Sequence, residues 1–416
     1  MIVWFGTKCF INVGNDEIAT LERRWIGKEM PDGRTVALSG EVGIQARILG
    51  PGLHFLIPFI FVAKRHKFLV IETNQIGVVE AITGKSLPPD EFFAQTVDCS
   101  GYQDGEAFIR NGGFKGPQLL IIPPGQHRIN PLLFSVKVKE AIDIGEGEIG
   151  IVEAVAGKPI VAGRIFADPV DCESYQNAQM FIEKGGQKGP QLAVLTPGMH
   201  RINTDFFKVE ITDAVEIPGG KIGLITATDG AQIPEGRILA EKIDEHSNFE
   251  KGDVFIKNGG QKGRQIQYLM PGTYRINTRL FEVTEIVDWV QVGTEEVGVV
   301  TVLDGKPIVG SDKIAAEEIK LEVHSTFQDA NASLKAGGEK GLPIPVLRPG
   351  SYAINPWFAK VTLQAMVIVQ IGECLVVTSF VGEEGDDTSD SEVNAKIVEN
   401  GKKGIWKDPL GPGKHA

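Results

Sequence analysis

Gly145-Glu146-Gly147-Glu148-Ile149-Gly150 has the glycine spacing of a dinucleotide-binding turn, where glycines let a pyrophosphate approach backbone amides. That chemistry needs a strand before the glycines and a helix after them. Here a β-branched, strand-like segment follows, and two glutamates would repel phosphate, so no cofactor is expected. Four loops of the form Gly-Gly-x-Lys-Gly, at 112–116, 185–189, 259–263 and 337–341, offer backbone nests and a lysine to an anion. They lack the residue order of a P-loop, and their recurrence fits a helix-to-strand turn better. His54, His127 and His200 recur in one kind of turn, as do Arg128, Arg201 and Arg275. Each turn supplies a single histidine, and Tyr274 and Tyr352 replace it elsewhere, so packing on the turn is expected rather than metal binding. The arginines are expected to form a ladder, pairing with carboxylates of the same or an adjacent unit.

The remaining candidates read in the same way. Cys9, Cys99, Cys172 and Cys374 are far apart, with no Cys-x-x-Cys and no histidine at ligand spacing. Neither a disulfide framework nor a zinc site is indicated, and a reducing compartment is the default. Cys99 and Cys172 occupy equivalent positions that carry His246 and His324 in two further copies, an interchange expected of a tolerant surface or boundary position. The acidic run 383–392 lacks the pattern of a calcium loop and reads as a solvated insertion. Asn331-Ala332-Ser333 is a glycosylation acceptor only in a secreted protein. No nucleophile stands beside a base, so no catalytic, cofactor-binding or metal residues are expected, and an enzyme is the least favoured class.

Composition sets the outer limits. The 416 residues are 42% hydrophobic and 23% charged, a globular balance, and 50 of them are glycine, which implies many tight turns and short strands. Lysine and arginine total 42 against 54 acids, a net charge of −12, which argues against nucleic acid as a partner. Apolar runs at 1–13 and 48–62 are too short or too rich in glycine and proline to span a bilayer, although a shallow insertion stays open. A cytoplasmic location, with or without membrane association, is the resulting expectation.

Internal periodicity decides the fold. The signature Pro-Gly-x-His/Tyr-Arg-Ile-Asn comprises Pro124, Gly125, His127, Arg128 and Asn130, then Pro197, Gly198, His200, Arg201 and Asn203. It returns as Pro271, Gly272, Tyr274, Arg275 and Asn277, and with alanine for arginine as Pro349, Gly350, Tyr352 and Asn355. A diverged copy starts at Pro51 and a cut-off copy at Pro412, giving proline-to-proline spacings of 73, 73, 74, 78 and 63. In the third copy, 149–155 reads as a strand and Gly157-Lys158-Pro159 as a turn. Residues 175–184 read as a short helix with Asn177 as possible N-cap and Gly185 as stop, 191–195 as a second strand, and 206–211 as a third. The chain is therefore expected to be mainly β (α+β), with tandem small antiparallel sheets, each carrying one short helix, stacked into an elongated rod. The expected boundaries are 1–70 for a diverged first repeat, 71–143, 144–216, 217–290 and 291–366 for four further repeats, and 367–416 for a distinct final segment.

Residues 187–191 and 195–203 resemble the segments that precede the band 7 domain in long bacterial SPFH (flotillin-like) proteins. Residues 367–380, the acidic loop and 401–415 look like the opening strands of an SPFH domain, cut short after Ala416, as in a piece of a longer polypeptide. Serial β-repeats leading into such a domain are also similar to major vault protein, whose repeats form the staves of a closed shell. The resemblance implies a non-enzymatic scaffold that self-assembles into a large homo-oligomeric ring, cage or membrane-associated belt. It implies self and a membrane surface as partners, with no small-molecule substrate. The alternative is a monomeric repeat module that binds another protein.

Overall fold

The computed structural model describes residues 9–31, 34–307, 319–380, 382–386 and 396–415. The chain is mainly β, built from many small antiparallel sheets, and divides into two compact units, Met1–Ala214 and Val215–Ala416. Four helices lie among the described residues: α1 (Gly105–Arg110), α2 (Ala178–Glu183), α3 (Gly252–Lys257) and α4 (Ala330–Lys335).

The third copy shows the plan of a repeat. Its central strand, Glu148–Ala154, runs antiparallel to Gly189–Leu195 on one side and to Phe207–Asp213 on the other. Ile149 to Val152 are all buried, as a β-branched run covered on both faces should be. Gly150 sits among them because a Cβ there would lie 2.7 Å from Ile144 and 3.0 Å from Leu195. A second, two-stranded sheet pairs Ile142–Ile144 with Gly198–His200, the strand opened by the Pro-Gly signature. This small sheet is absent from the sequence reading, because three residues are too few to show a period. The same pairings recur around the central strands Glu17–Arg23, Gln75–Ala81 and Lys221–Ala227. They extend to 367–415, where Val367–Val369 pairs with Gly413–His415 and Thr378 and Ser379 pair with Ile405 and Gly404.

The second, third and fifth repeats complete their cores with residues of the repeat before. Val36 and Ala46 of the first copy belong to the apolar cluster of the second, around Phe108 and Phe134. Leu119 and Phe93 of the second join Phe181, Phe206 and Phe207 of the third. In the second unit, Leu239 and Ile266 complete the cluster of Phe327 and Phe358. These sheets are too small to hide an apolar face by themselves, and in these three clusters residues of the predecessor close them.

The helices are shorter than expected, and the reason is backbone handedness. Residues 175–184 read as helical, yet α2 begins at Ala178, because Glu173, Ser174 and Tyr175 have φ of 58°, 52° and 62°. Ser100 to Tyr102, Ser247 to Phe249 and Ser325 to Phe327 repeat this left-handed turn. L-residues rarely adopt it in sequence, at roughly 1–2 kcal/mol each. The turn closes with a hydrogen bond from the fifth residue onward, as from Asn177 N to Cys172 O at 3.2 Å. It delivers an aromatic side chain into the core: Tyr175 meets Phe207 edge-on at 5.3 Å, and Phe249 meets Phe281 at 5.0 Å. Asn177 then caps α2, accepting from Met180 N at 2.9 Å.

The second copy already carries glycine at the middle of this turn, Gly101, where the third has the exposed Ser174. Ser174→Gly is therefore expected to raise stability by about 0.5–1 kcal/mol, the relief of one left-handed residue less glycine's entropy cost. Urea unfolding of the two proteins reads this directly, and a destabilised variant would contradict the strain assignment.

Candidate functional site

Each residue of the Pro-Gly-x-His/Tyr-Arg-Ile-Asn signature has a separate task. Gly125 and Gly198 take φ of 138° and 130°, where a side chain would be strained. The imidazoles of His54, His127, His200 and His415 each donate from Nε2 to the carbonyl four residues earlier, all at 2.8 Å. Tyr274 and Tyr352 make the same bond through their hydroxyls, to Met270 O at 2.9 Å and Arg348 O at 2.8 Å. Histidine and tyrosine interchange because both place a donor at the far edge of a ring, so the role is a hydrogen bond as well as packing. Ile129, Ile202, Ile276 and Ile354 fill the core.

Arg128 and Arg201 depart from the expected carboxylate ladder. Arg201 donates to the carbonyl of Thr73, in the preceding repeat, at 3.1 Å. The Arg128 guanidinium lies over the Phe68 ring at 5.4 Å. The Arg128 backbone N–H instead donates to Gln103 Oε1, Arg201 N to Gln176 Oε1, Arg275 N to Glu250 Oε1, and Ala353 N to Gln328 Oε1. This bond keeps its place when the arginine becomes alanine. Its constant spacing of 25 residues is the sequence signal by which these acceptors are recognisable.

The asparagine does the most. Asn203 is buried, and its amide donates to Gln118 O and Leu119 O of the preceding repeat, both at 3.0 Å. Its own oxygen accepts from Asp205 N at 3.1 Å. Asn130 reaches Gln45 O and Ala46 O in the same way, and Asn355 reaches Gln265 O and Ile266 O. The carbonyls are presented by a second amide: Gln118 donates to Phe114 O and Gly116 O within the Gly-Gly-x-Lys-Gly loop, as Gln265 does in its own, and Gln45 donates to Glu41 O and Gly43 O of the turn before it. The loop is thus a structural cradle. Similarly, Glu148 in the glycine-rich 145–150 turn folds back to accept from Gly145 N at 2.8 Å.

Cys99, Cys172, His246 and His324 are buried, which corrects the expected surface placement. They share one role, accepting from the N–H three residues on and so holding the left-handed turn. Phe249 N donates to His246 Nδ1 at 2.6 Å, and Phe327 N to His324 Nδ1 at 2.8 Å. Tyr102 and Tyr175 present their N–H groups to the two cysteine sulfurs. Burial pushes both thiols above their usual range, so they stay protonated.

No protein-family model matches the chain, and no curated protein matches its sequence. Among the described residues no three His, Cys, Asp or Glu side chains are grouped to hold a metal, and no helix is long and apolar enough to cross a membrane. Asn331-Ala332-Ser333 lies in α4 with Ser333 buried. The acidic run falls largely outside the described residues, and in its described part Glu384 pairs with Lys396 at 3.4 Å.

The fourth-to-fifth junction carries one further feature. Asp304, wholly buried, accepts from Arg237 Nε at 3.1 Å and from the N–H groups of Ile238 and Leu239. A buried carboxylate is tolerable only when paired and bonded in this way.

Two measurements follow from these bonds. Asn203→Ala leaves two buried carbonyls without a donor, and a loss of roughly 2–4 kcal/mol is expected in chemical denaturation; a loss within error would remove the clasp. His324 tests the left-handed turn. Its burial lowers the imidazole's affinity for protons below the ordinary value of 6.5, while Ile319 O and the Asp329 and Glu322 carboxylates pull the other way. Between 6.5 and that lowered value the unfolded chain binds more protons than the native one, so stability is full above this window and falls as pH drops through it. His324→Cys, the choice of the earlier copies, is expected to flatten the fall between pH 7 and 5.5 in a denaturant series; an unchanged slope would exclude the assignment.

Proposed function

We propose that the protein is a non-enzymatic, flotillin-like scaffold that self-assembles through the flanks of its repeats into a large homo-oligomer on a cytoplasmic membrane surface. One observation carries the reading. Phe134–Glu140, Phe207–Asp213, Phe281–Asp288 and Ala359–Ala365 each lie at the edge of a sheet. Each also exposes one aliphatic side chain at nearly the same level: Val138 at 41%, Ile211 at 43%, Ile286 at 44% and Leu363 at 43%. Unpaired sheet edges are ready-made templates for pairing, and soluble proteins normally blunt them. A recurring edge with a recurring apolar contact is suited to lateral association of like chains, which multiplies a weak contact along the array.

The first repeat supports the membrane part. Phe10 and Phe55 stack edge-to-face at 5.4 Å and stay exposed, beside exposed Leu53 and Phe59. Lys64, Arg65 and Lys67 follow on the next strand. Residues 1–67 hold nine basic and six acidic side chains, a balance of +3 in a chain of −12. Exposed aromatics beside a local basic excess suit an anionic lipid surface.

Light scattering with negative-stain imaging tests the assembly. The protein is expected as particles many times the mass of one chain, and Val138→Lys with Ile211→Lys is expected to reduce them to single chains with an unchanged circular dichroism spectrum. A wild-type protein that stays monomeric at micromolar concentration would exclude the scaffold and leave the monomeric binding module in its place.

A further inference from the structure

The buried Arg237–Asp304 pair marks a position that can be followed through the array. Bridges between Ala37 and Gln45, Ala94 and Gln118, Ala167 and Gln191, and Ala240 and Gln265 fix the register of the four loops. Three residues before those alanines stand Arg34, Glu91, Arg164 and Arg237. The bridges Lys85–Phe114, Lys158–Gln187, Ala231–Gln261 and Lys306–Glu339 likewise align the partner position as Thr83, Ala156, Asp229 and Asp304. Thr83, Asp229 and Asp304 are buried polar residues. At the junction of the second and third repeats both members differ: a glutamate replaces arginine, and an alanine replaces the buried acceptor.

A cavity of about 390 Å³ opens at that junction, lined by Glu91 and Ala156 together with Phe92, Phe93, Leu119 and Phe206. Its volume falls in the range of small-molecule sites, and its wall is mostly apolar, as in such sites. Phe93 is half-buried and meets the buried Phe206 edge-on at 5.0 Å, and Phe92 is 72% exposed. Two lysines also line it, each with a counterpart in other repeats. The Lys158 Nζ sits 3.0 Å from where a Cβ on Gly185 would be, at the C-terminal end of α2, as Lys85 sits by Gly112. Lys188 is the counterpart of Lys340, which donates to Gly236 O across its own junction at 3.4 Å. Neither Asp90 nor Glu91 has a side-chain hydrogen bond or ion pair among the described residues.

We infer that this cavity binds a small organic cation with an apolar body, whose ammonium or guanidinium group takes the place of the arginine missing from the junction. The carboxylates of Glu91 and Asp90 supply the counter-charge, and the phenylalanine faces supply cation–π attraction and apolar contact. The chemistry is shared by a free amine and by a basic side chain of a partner protein, and the experiment separates them.

Isothermal titration calorimetry of the 416-residue protein with phenethylammonium, 2-phenylethanol and phenylacetate reads the charge preference. Saturable binding of the cation is expected, with the neutral alcohol at least about tenfold weaker, as for loss of a charge-assisted contact, and the anion weaker still. Glu91→Gln is expected to weaken the cation about tenfold by the same contact. Glu91→Arg with Ala156→Asp, which rebuilds the pair of the fourth-to-fifth junction, is expected to abolish binding without lowering the melting temperature. Glu91→Gln remains decisive if the double variant does not fold. Equal binding of the alcohol or the anion, binding unchanged by Glu91→Gln, or no saturable binding of the cation overturns the inference. A short Leu-Arg-Leu peptide that binds more tightly than the amine assigns the cation to a partner's side chain, and the reverse order assigns it to a free amine; both orders support the site.

Discussion

Within each compact unit the structure depends on a buried amide that reaches into a neighbour. A three-stranded sheet of seven-residue strands cannot shield an apolar face alone, so each repeat must borrow surface from the one before it. Apolar contact is non-directional and would tolerate many relative placements. The asparagine removes that freedom, because its N–H₂ meets two consecutive carbonyls while its oxygen holds the next turn. A misplaced neighbour would leave all of these groups buried and unpaired, at a cost comparable to the whole stability of a small domain. Polar satisfaction thus selects one register from those that hydrophobic burial allows.

This arrangement also explains why the signature is so uniform. Glycine sets the turn, histidine or tyrosine ties it to the carbonyl four residues back, and isoleucine anchors it in the core. Asparagine then carries the contact outward. Arginine holds a carbonyl in one copy and a ring face in another, and in the fifth copy the position is Ala353.

Much of the fold was legible in the sequence, since repetition and the run around Ile149 to Val152 reveal a central strand whatever lies beside it. The cap at Asn177 was legible too, because the residue type and the glycine stop are local signals. The left-handed turns were not. Glu173, Ser174 and Tyr175 have no propensity for that backbone, and what holds them is a buried acceptor, Cys172, whose meaning appears only beside the His246 and His324 copies. The interchange of thiol and imidazole suggested tolerance, whereas the structure shows a shared acceptor lone pair. In the same way, the polar pairs between repeats were hidden because their members lie 60 to 90 residues apart, as Arg237 and Asp304 do, and no single window contains both.

In the clusters of the second, third and fifth repeats, core residues are lent by the repeat before. A donor face and an acceptor face are different surfaces, so the relation between these neighbours is heterologous. Whole copies can then be gained or lost in frame while every surviving contact finds its complement. The proline spacings of 73, 73 and 74 fit a history of such duplications, in which length is adjusted by counting modules and never by redesigning an interface.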